Sequence, residues 1–340
     1  MKDEESKFFL RFAITPNCNF RCEYCNPEGK IEKANVLSED EIMQIMAAGI
    51  DAGVNRVHWT GGEPTLLNME KLISKSRDLG YVEQVLTTNG SRGGDYVRMM
   101  ADEGLDRLIV SLDTLDPVRF KKITKSDSLD KVLDTIETAT SILHQPTKVN
   151  VVYLKETVEE MPELIKYAVQ INSNPDDNGA MIMKFLEMTE MNPAFFNTEG
   201  KLFKKHHTGK DIMMNELSRY GTLEEATKDV IGNNPNTYYY SIPEVGLKIG
   251  MINIPSEGYK CGGKGCAKLR LNPYGKIAVC VNQEPVEIKG KSQQHQTKVI
   301  QQLQEYRSML DTFYPKRTHR QNESNFGYWR FGETKNNGKS

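Results

Sequence analysis

The sequence predicts an α/β fold, in the form of a partial, open barrel of about six βα units. Segments rich in β-branched and aromatic residues alternate with amphipathic segments through the first half of the chain. The strand-like run Leu108-Ile109-Val110 is continuously apolar, which is typical of a strand buried in a parallel sheet. Such repeats predict helices packed outside a parallel sheet, with chemistry at the carboxyl ends of the strands.

The predicted strands cover residues 8–15, 54–59, 82–87, 105–112, 149–154 and 180–186. The predicted helices between them cover a segment that starts after Ser38, then residues 69–79, 94–103, 129–143 and 161–171. Ser38 and Glu41 form a capping-box pattern, and Ile42, Ile45 and Met46 follow at helical spacing.

The βα pattern weakens after residue 192, which suggests a second region. We expect a core over residues 1–220 and a C-terminal region over 221–340, with short strands and loops around residues 237–290. The net charge of −2 does not favour a nucleic-acid partner. The polar, acidic start and the lack of a long apolar run predict a cytoplasmic protein with no membrane partner.

The six cysteines fall into two separate groups. Cys18, Cys22 and Cys25 lie near the start, whereas Cys261, Cys266 and Cys280 lie near the end. A disulfide framework usually spreads along a small secreted domain, so two tight groups predict two metal sites. The alternative interpretation is a set of buried thiols that pack as small apolar side chains.

The first group has the spacing Cys18-x3-Cys22-x2-Cys25 and directly follows the first predicted strand. Three thiolates can bind three irons of a four-iron cluster and leave the fourth iron open to another ligand. A structural zinc site usually takes four protein ligands, and no fourth ligand is adjacent. The second group also has three thiolates, in a glycine-rich loop, and zinc is a stronger competitor there.

Small polar motifs follow the next predicted strands. Thr60-Gly61-Gly62-Glu63-Pro64 combines glycines, which let backbone approach a ligand closely, with a carboxylate that can accept a hydrogen bond from an ammonium group. Taken alone, the Gly61-Gly62 pair is more typical of an ordinary loop.

The first cysteine motif resembles the signature of the radical S-adenosylmethionine (SAM) superfamily. Residues 104–117 (GLDRLIVSLDTLDP) and 268–276 (KLRLNPYGK) resemble the GTP 3′,8-cyclase (MoaA) family of molybdenum cofactor biosynthesis. The resemblance implies a radical SAM barrel with an auxiliary cluster in the C-terminal region. It also implies two [4Fe–4S] clusters, SAM, and an electron donor such as flavodoxin or ferredoxin. The implied reaction is hydrogen abstraction by a 5′-deoxyadenosyl radical, followed by carbon–carbon bond formation within GTP.

The resemblance also assigns roles to individual positions. Those implied to contact SAM are Tyr24, Gly61, Gly62, Glu63, Pro64, Ser111 and Met188. Those implied to contact the substrate are Arg11, His58, Thr87, Lys148, Lys268 and Arg270. We expect these cations at strand ends and, for Lys268 and Arg270, in the loop of the second cysteine group.

Three features depart from the family pattern. His58 replaces an arginine, Cys261 and Cys266 are four residues apart rather than two, and paired glycines are missing at the end of the chain. Alternative functions are therefore a related enzyme that modifies a peptide or another natural-product precursor, an iron–sulfur redox sensor, and a zinc-stabilised scaffold.

Overall fold

The computed structural model describes residues 7–22, 24–25, 34–173, 180–189, 201–226, 237–253, 260–261, 267–280, 283–313 and 317–318. Its first six strands are β1 (Phe9–Ala13), β2 (Arg56–Thr60), β3 (Glu83–Thr88), β4 (Arg107–Ser111), β5 (Thr147–Tyr153) and β6 (Met181–Glu187). Each pairs with the next in parallel. The prediction of six parallel strands is therefore confirmed, with bounds shifted by one or two residues.

The helices that link these strands are α1 (Glu39–Asp51), α2 (Met69–Leu79), α3 (Gly94–Asp102), α4 (Pro117–Thr124), α5 (Leu129–Ile142) and α6 (Met161–Asn172). The capping box of Ser38 and Glu41 is confirmed at the start of α1. Helix α4 was not predicted, although Asp116 caps it through Arg119 N and Pro117 opens its first turn.

The remaining strands are β7 (Glu224–Glu225), β8 (Tyr238–Ile242), β9 (Leu247–Ile252), β10 (Lys260–Cys261), β11 (Lys268–Leu271), β12 (Lys276–Ala278), β13 (Val286–Glu287) and β14 (Arg317–Thr318). All but β10 and β14 join the same sheet, whose strand order is β13-β12-β11-β1-β2-β3-β4-β5-β6-β9-β8-β7. Strands β11 and β9 lie parallel to β1 and β6. Residues from both ends of the chain thus build one sheet, and the boundary at residue 220 stays a prediction.

The expected position of Lys268 and Arg270 in a cysteine loop was wrong. Both lie on β11, where Arg270 is the register partner of Arg11 on β1. The physical reason is that β1 would otherwise leave its outer edge unpaired, and β11 satisfies those backbone groups. Because register partners share a face of a sheet, β11 brings its cations beside Arg11.

The C-terminal region also contains α9 (Gln293–Phe313), which follows α7 (Lys201–His206) and α8 (Lys210–Leu217). Helix α9 packs against α1 and β11. It buries Val299, Ile300 and Leu303, but its many glutamines hide this narrow apolar stripe in the sequence. None of the described helices is long and apolar enough to cross a bilayer.

We expect Leu303→Ala to lower the free energy of unfolding by about 2–5 kcal/mol, because Leu303 is fully buried where α9 packs on the sheet. Chemical denaturation followed by circular dichroism measures the change. Val118→Ala is the control, since Val118 is 78% exposed and its truncation should change stability by less than about 0.5 kcal/mol. Equal stabilities of the two variants would contradict the described packing of α9.

Candidate active site

The cysteine loop leaves the carboxyl end of β1 and is held by α4. Arg21 N donates to Thr124 O over 2.9 Å, and the Phe20 ring packs edge-on against Phe120. Within this loop Cys18 and Cys25 are exposed and Cys22 is half-buried. The loop is therefore anchored to α4 by one backbone hydrogen bond and one aromatic contact.

A second set of contacts ties the cysteine loop to the end of β3. Asn89 Nδ2 donates to Asn19 Oδ1 over 2.8 Å and lies 3.8 Å from Cys18 Sγ. Asn19 Nδ2 in turn donates to Ser91 Oγ over 2.9 Å. Through these contacts Asn89, which follows β3, supports the cysteine loop at Cys18.

The three cysteine side chains favour the neutral thiol over the thiolate. Desolvation raises the pKa of Cys18, Cys22 and Cys25, and repulsion from neighbouring anions raises each further. Among the described residues, no three His, Cys, Asp or Glu side chains lie close enough to share one ion. A four-iron cluster distributes its thiolates over separate irons and supplies positive charge, so this donor set fits such a group.

The glycines of the Thr60–Pro64 segment permit close contact with the chain's own backbone. Gly62 N donates to Thr15 O and Glu63 N donates to Asn17 O, both over 2.7 Å. A Cβ atom on Gly62 would lie 2.1 Å from Asn17 O, and Gly61 has a φ of +146°. This segment therefore locks directly onto the residues that lead from β1 into the cysteine loop.

Glu63 is buried and held in one orientation. Its Oε1 accepts hydrogen bonds from Thr65 N, Thr65 Oγ1 and Thr88 Oγ1, over 3.0, 2.6 and 2.7 Å. Its Oε2 accepts one from Asn89 N over 2.7 Å. Burial raises the pKa of this carboxyl, whereas these donors favour its ionised form. Pro64 opens a single 3₁₀ turn behind it.

Tyr24 of the cysteine loop contacts a buried carboxyl group. Its hydroxyl donates to Asp113, whose Oδ1 accepts a hydrogen bond from Val152 N over 2.8 Å. Desolvation raises the pKa of Asp113 to about 7. Met188 is buried beside Tyr24, and Ser111 is exposed at the end of β4. The positions implied to contact SAM thus lie at the carboxyl ends of the strands, together with the cysteine loop.

The predicted substrate residues line the inner face of the sheet. Arg11 Nη1 lies 3.0 Å from His58 Nδ1, and His58 Nε2 lies 2.6 Å from Thr87 Oγ1. The structure therefore joins three of the predicted positions, from β1, β2 and β3, in one polar row. Arg270 extends this row from β11 through its register with Arg11.

Lys148 and Lys184 occupy the other side of this interior, and Lys184 was missed by the sequence analysis. Desolvation and nearby cations lower the pKa of Lys148 to about 7 and that of Lys184 to about 8. Desolvation and the neighbouring cations, Arg11 foremost among them, also lower the pKa of His58. A lysine inside the apolar run Met-Ile-Met-Lys-Phe-Leu of β6 was the available signal.

One carboxylate faces this cationic interior among the described contacts. Glu83 pairs with Arg56 and lies 3.9 Å from Arg107, so it compensates those two guanidinium groups at the amino ends of the strands. Lys148, Lys184 and His58 have lowered pKa values because they are desolvated and lie near other cations, and groups perturbed in this way mark a candidate functional site.

The second cysteine group is described only in part. Cys280 is a buried thiol after β12, and the backbone of Cys261 pairs with Arg317 in the β10–β14 ladder. Cys266 and the side chain of Cys261 lie outside the described residues. The metal site predicted for this group stays a prediction.

Comparison with known proteins agrees with this geometry. The family model of the radical SAM superfamily matches residues 12–168. A probable GTP 3′,8-cyclase of Methanococcus maripaludis strain C6 is 31% identical over 274 residues, which are 80% of this chain and 84% of the relative. The GTP 3′,8-cyclase of Actinobacillus pleuropneumoniae serotype 3 is 32% identical over 285 residues, covering 82% and 78%.

The chain belongs to the GTP 3′,8-cyclase family of radical SAM enzymes. Membership of the superfamily implies a [4Fe–4S] cluster and SAM. The family resemblance, the α/β fold class and the radical SAM enzyme class predicted from the sequence are therefore confirmed.

Solved structures with a similar fold include enzymes crystallised with SAM. Streptococcus suis SuiB bound to SAM has a TM-score of 0.57 at 17% identity, over 82% of this chain and 63% of the SuiB chain. The enzyme anSMEcpe, bound to SAM and a peptide, has a TM-score of 0.57 at 15% identity, covering 89% and 83%. This chain thus spans less than two thirds of SuiB, and the likeness is one of fold.

We expect Gly62→Ala to prevent assembly of the first cluster, because the new methyl group would collide with Asn17 O and push the cysteine loop away. Forced overpacking of this kind costs about 1–3 kcal/mol. Iron content and visible absorbance after anaerobic reconstitution measure the loss. Gly53→Ala is the control for general destabilisation. Its φ of +76° makes an alanine there strained, but the new Cβ would meet no atom within 4 Å. Normal iron content in Gly62→Ala would show that the contact tolerates a side chain.

Proposed function

We propose that this protein is a radical SAM cyclase that acts on a phosphorylated nucleotide, GTP first. The observation that carries the proposal is the group of cations on the inner face of the sheet. Most of these cations lie on the same strands whose carboxyl ends hold the cysteine loop and the positions implied to contact SAM. The names of the relatives in the same family support GTP as the first substrate to test.

In this proposal Cys18, Cys22 and Cys25 hold the first [4Fe–4S] cluster. When bound, the cluster supplies the electron that cleaves SAM into methionine and a 5′-deoxyadenosyl radical. Glu63 would accept a hydrogen bond from the ammonium group of SAM, because its carboxylate is prepositioned by Thr65, Thr88 and Asn89. An ionised carboxylate and an ammonium group form a charge-assisted hydrogen bond.

Three positions would hold the rest of SAM. Tyr24 and Met188 pack together at the ends of β5 and β6, and Ser111 offers a hydroxyl at the end of β4. The Asp113 carboxyl fixes the Tyr24 ring against the sheet. These contacts would orient SAM and limit access of water to the reacting carbon.

The interior cations would bind the phosphates and thereby position the ribose. Arg11, Lys148, Lys268 and Arg270 are supplied by β1, β5 and β11, and we add Lys184 of β6 to this set. A hydrogen bond to a charged partner contributes about 1.5–3 kcal/mol. His58 would contribute less than the arginine of the family, because desolvation and its cationic neighbours keep its ring neutral.

We further propose that Cys261, Cys266 and Cys280 hold a second [4Fe–4S] cluster, which would bind the base of the nucleotide. The position of β11 supports this, since its cations follow directly after the second and before the third cysteine of the group. Zinc in this group would instead indicate a structural site.

A peptide substrate remains the second candidate, because anSMEcpe shares the fold and was crystallised with a peptide. The cationic interior favours phosphate over an ordinary peptide, because lysine and arginine form charge-assisted hydrogen bonds with phosphate oxygens. A redox sensor would need neither the prepositioned Glu63 nor this interior.

Single substitutions can distinguish the roles of the two cysteine groups. We expect Cys22→Ala to abolish formation of 5′-deoxyadenosine and to lower the iron content from about eight to about four per chain. Cys280→Ala should lose the same amount of iron but retain SAM cleavage without product. Iron and zinc analysis of anaerobically reconstituted protein, with chromatography of 5′-deoxyadenosine, checks both. Unchanged cleavage in Cys22→Ala contradicts the first assignment, and bound zinc contradicts the second.

Nucleotide binding should weaken as the pH rises from about 7 to about 9. In the ligand-free protein the pKa of Lys148 is about 7 and that of Lys184 is about 8, so both lose their charge across this window. Binding an anion requires their protonated forms, and each proton taken up changes affinity by up to about tenfold per pH unit. The phosphates stay ionised throughout, because their last pKa is about 6.

Titration calorimetry of GTP with anaerobic protein measures this pH dependence. Lys148→Arg is the matched variant, since arginine keeps its charge and should flatten part of the slope. Lys148→Ala should weaken binding at every pH. A slope identical in the wild type and Lys148→Arg would remove Lys148 from the proposed phosphate site.

A further inference from the structure

The end of α4 presents a group of exposed cations beside the cysteine loop. Residues 117–125 contain four basic residues and no acidic one, and Lys121, Lys122 and Lys125 are exposed. Arg21, also exposed, lies between Cys18 and Cys22 in sequence. We call Arg21, Lys121, Lys122 and Lys125 the basic α4 face.

The basic α4 face is joined to the cysteine loop by two contacts. The hydrogen bond from Arg21 N to Thr124 O and the contact of Phe20 with Phe120 connect the two directly. Lys125 ends α4 in a left-handed conformation, with a φ of +60°, and its backbone nitrogen donates to Lys121 O over 2.9 Å.

Three carboxylates near α4 are engaged by residues of the helix itself. Asp127 pairs with Lys121 over 2.9 Å, but both side chains are more than 60% exposed. Glu160 pairs with Arg119 over 2.8 Å, and Asp116 caps the opposite end of the helix. Exposed ion pairs of this kind are weak and easily exchanged for a partner's carboxylates.

Reductive cleavage of SAM requires one electron per turnover from outside the chain, so a donor must approach the cysteine loop. We propose that the basic α4 face docks a small acidic electron-transfer protein, of the flavodoxin or ferredoxin class. One electron passes from the reduced donor to the cluster held by Cys18, Cys22 and Cys25, and the donor leaves oxidised by one electron. This inference rests on the proposed function of that cluster.

Charge complementarity is the argument for an acidic partner. A face of one sign steers an oppositely charged protein and raises its association rate by about 10- to 1,000-fold at low salt. A different interpretation is that these lysines only complement the negative carboxyl end of α4. That interpretation predicts a loss of stability on charge reversal and no effect on a donor.

The test uses the double variant Lys122→Glu/Lys125→Glu of the reconstituted full chain. Lys291→Glu/Lys298→Glu is the matched control, because it makes the same change in net charge at exposed positions next to and on α9. The probes are a reduced flavodoxin and, separately, dithionite. Stopped-flow absorbance measures the second-order rate of cluster reduction, and titration calorimetry measures the Kd of oxidised flavodoxin.

We expect the α4 variant to reduce the rate with flavodoxin about tenfold or more and to weaken binding similarly, while reduction and SAM cleavage with dithionite stay unchanged. The control variant should match the wild type. Equal effects in both variants, or none in either, would overturn the docking site.

If the α4 variant folds poorly, the rate of cluster reduction in the wild type can be measured at increasing salt concentrations instead. The flavodoxin-driven rate should fall steeply between about 0.05 and 0.3 M salt, whereas the dithionite-driven rate should show no comparable fall. A flavodoxin rate that is insensitive to salt would overturn the proposal. Failure of SAM cleavage with dithionite in the wild type would instead overturn the proposed function itself.

Discussion

The junction between the ends of β1 and β2 is the contact on which the site depends. Gly62 and Glu63 donate backbone hydrogen bonds to Thr15 and Asn17, at a distance that no side chain on Gly62 could tolerate. Through this junction the start of the cysteine loop takes its position from the sheet. Glu63 then reaches β3 through Thr88 and Asn89, and Asn89 returns to the cysteine loop. Three strand ends are thereby coupled, so a small change at one glycine should be felt at the metal ligands.

The cations on the inner face of the sheet make the free energy of folding less favourable. Desolvation and neighbouring cations lower the pKa of Lys148 and Lys184, so the charged forms of both lysines oppose folding. A bound polyphosphate would remove much of this unfavourable contribution. His58 adds no further charge, since its neutral ring bridges Arg11 and Thr87. A neutral ring at His58 makes the interior less positive than a second arginine there would.

The proposed chemistry divides between two surfaces of the same scaffold. Phosphates would bind inside the sheet, whereas electrons would enter from outside, through the loop held by α4. Both surfaces are basic, but they differ in solvent exposure. The outer cations remain hydrated and act at long range, which suits a transient partner. The inner cations are desolvated and act at contact distance, which suits a tightly held ligand.

The sequence by itself determined the chemistry of the first site and the order of the elements. The spacing of Cys18, Cys22 and Cys25 and the alternation of strands and helices are local properties, so they can be read along the chain. The use of Gly62 against Asn17, the placement of Arg270 on a strand beside Arg11, and the convergence of Lys184 with Lys148 were decided only by the tertiary structure. Each of these joins residues that are distant in sequence. Such pairings depend on which strands become neighbours in the sheet, and no local pattern of side chains specifies that.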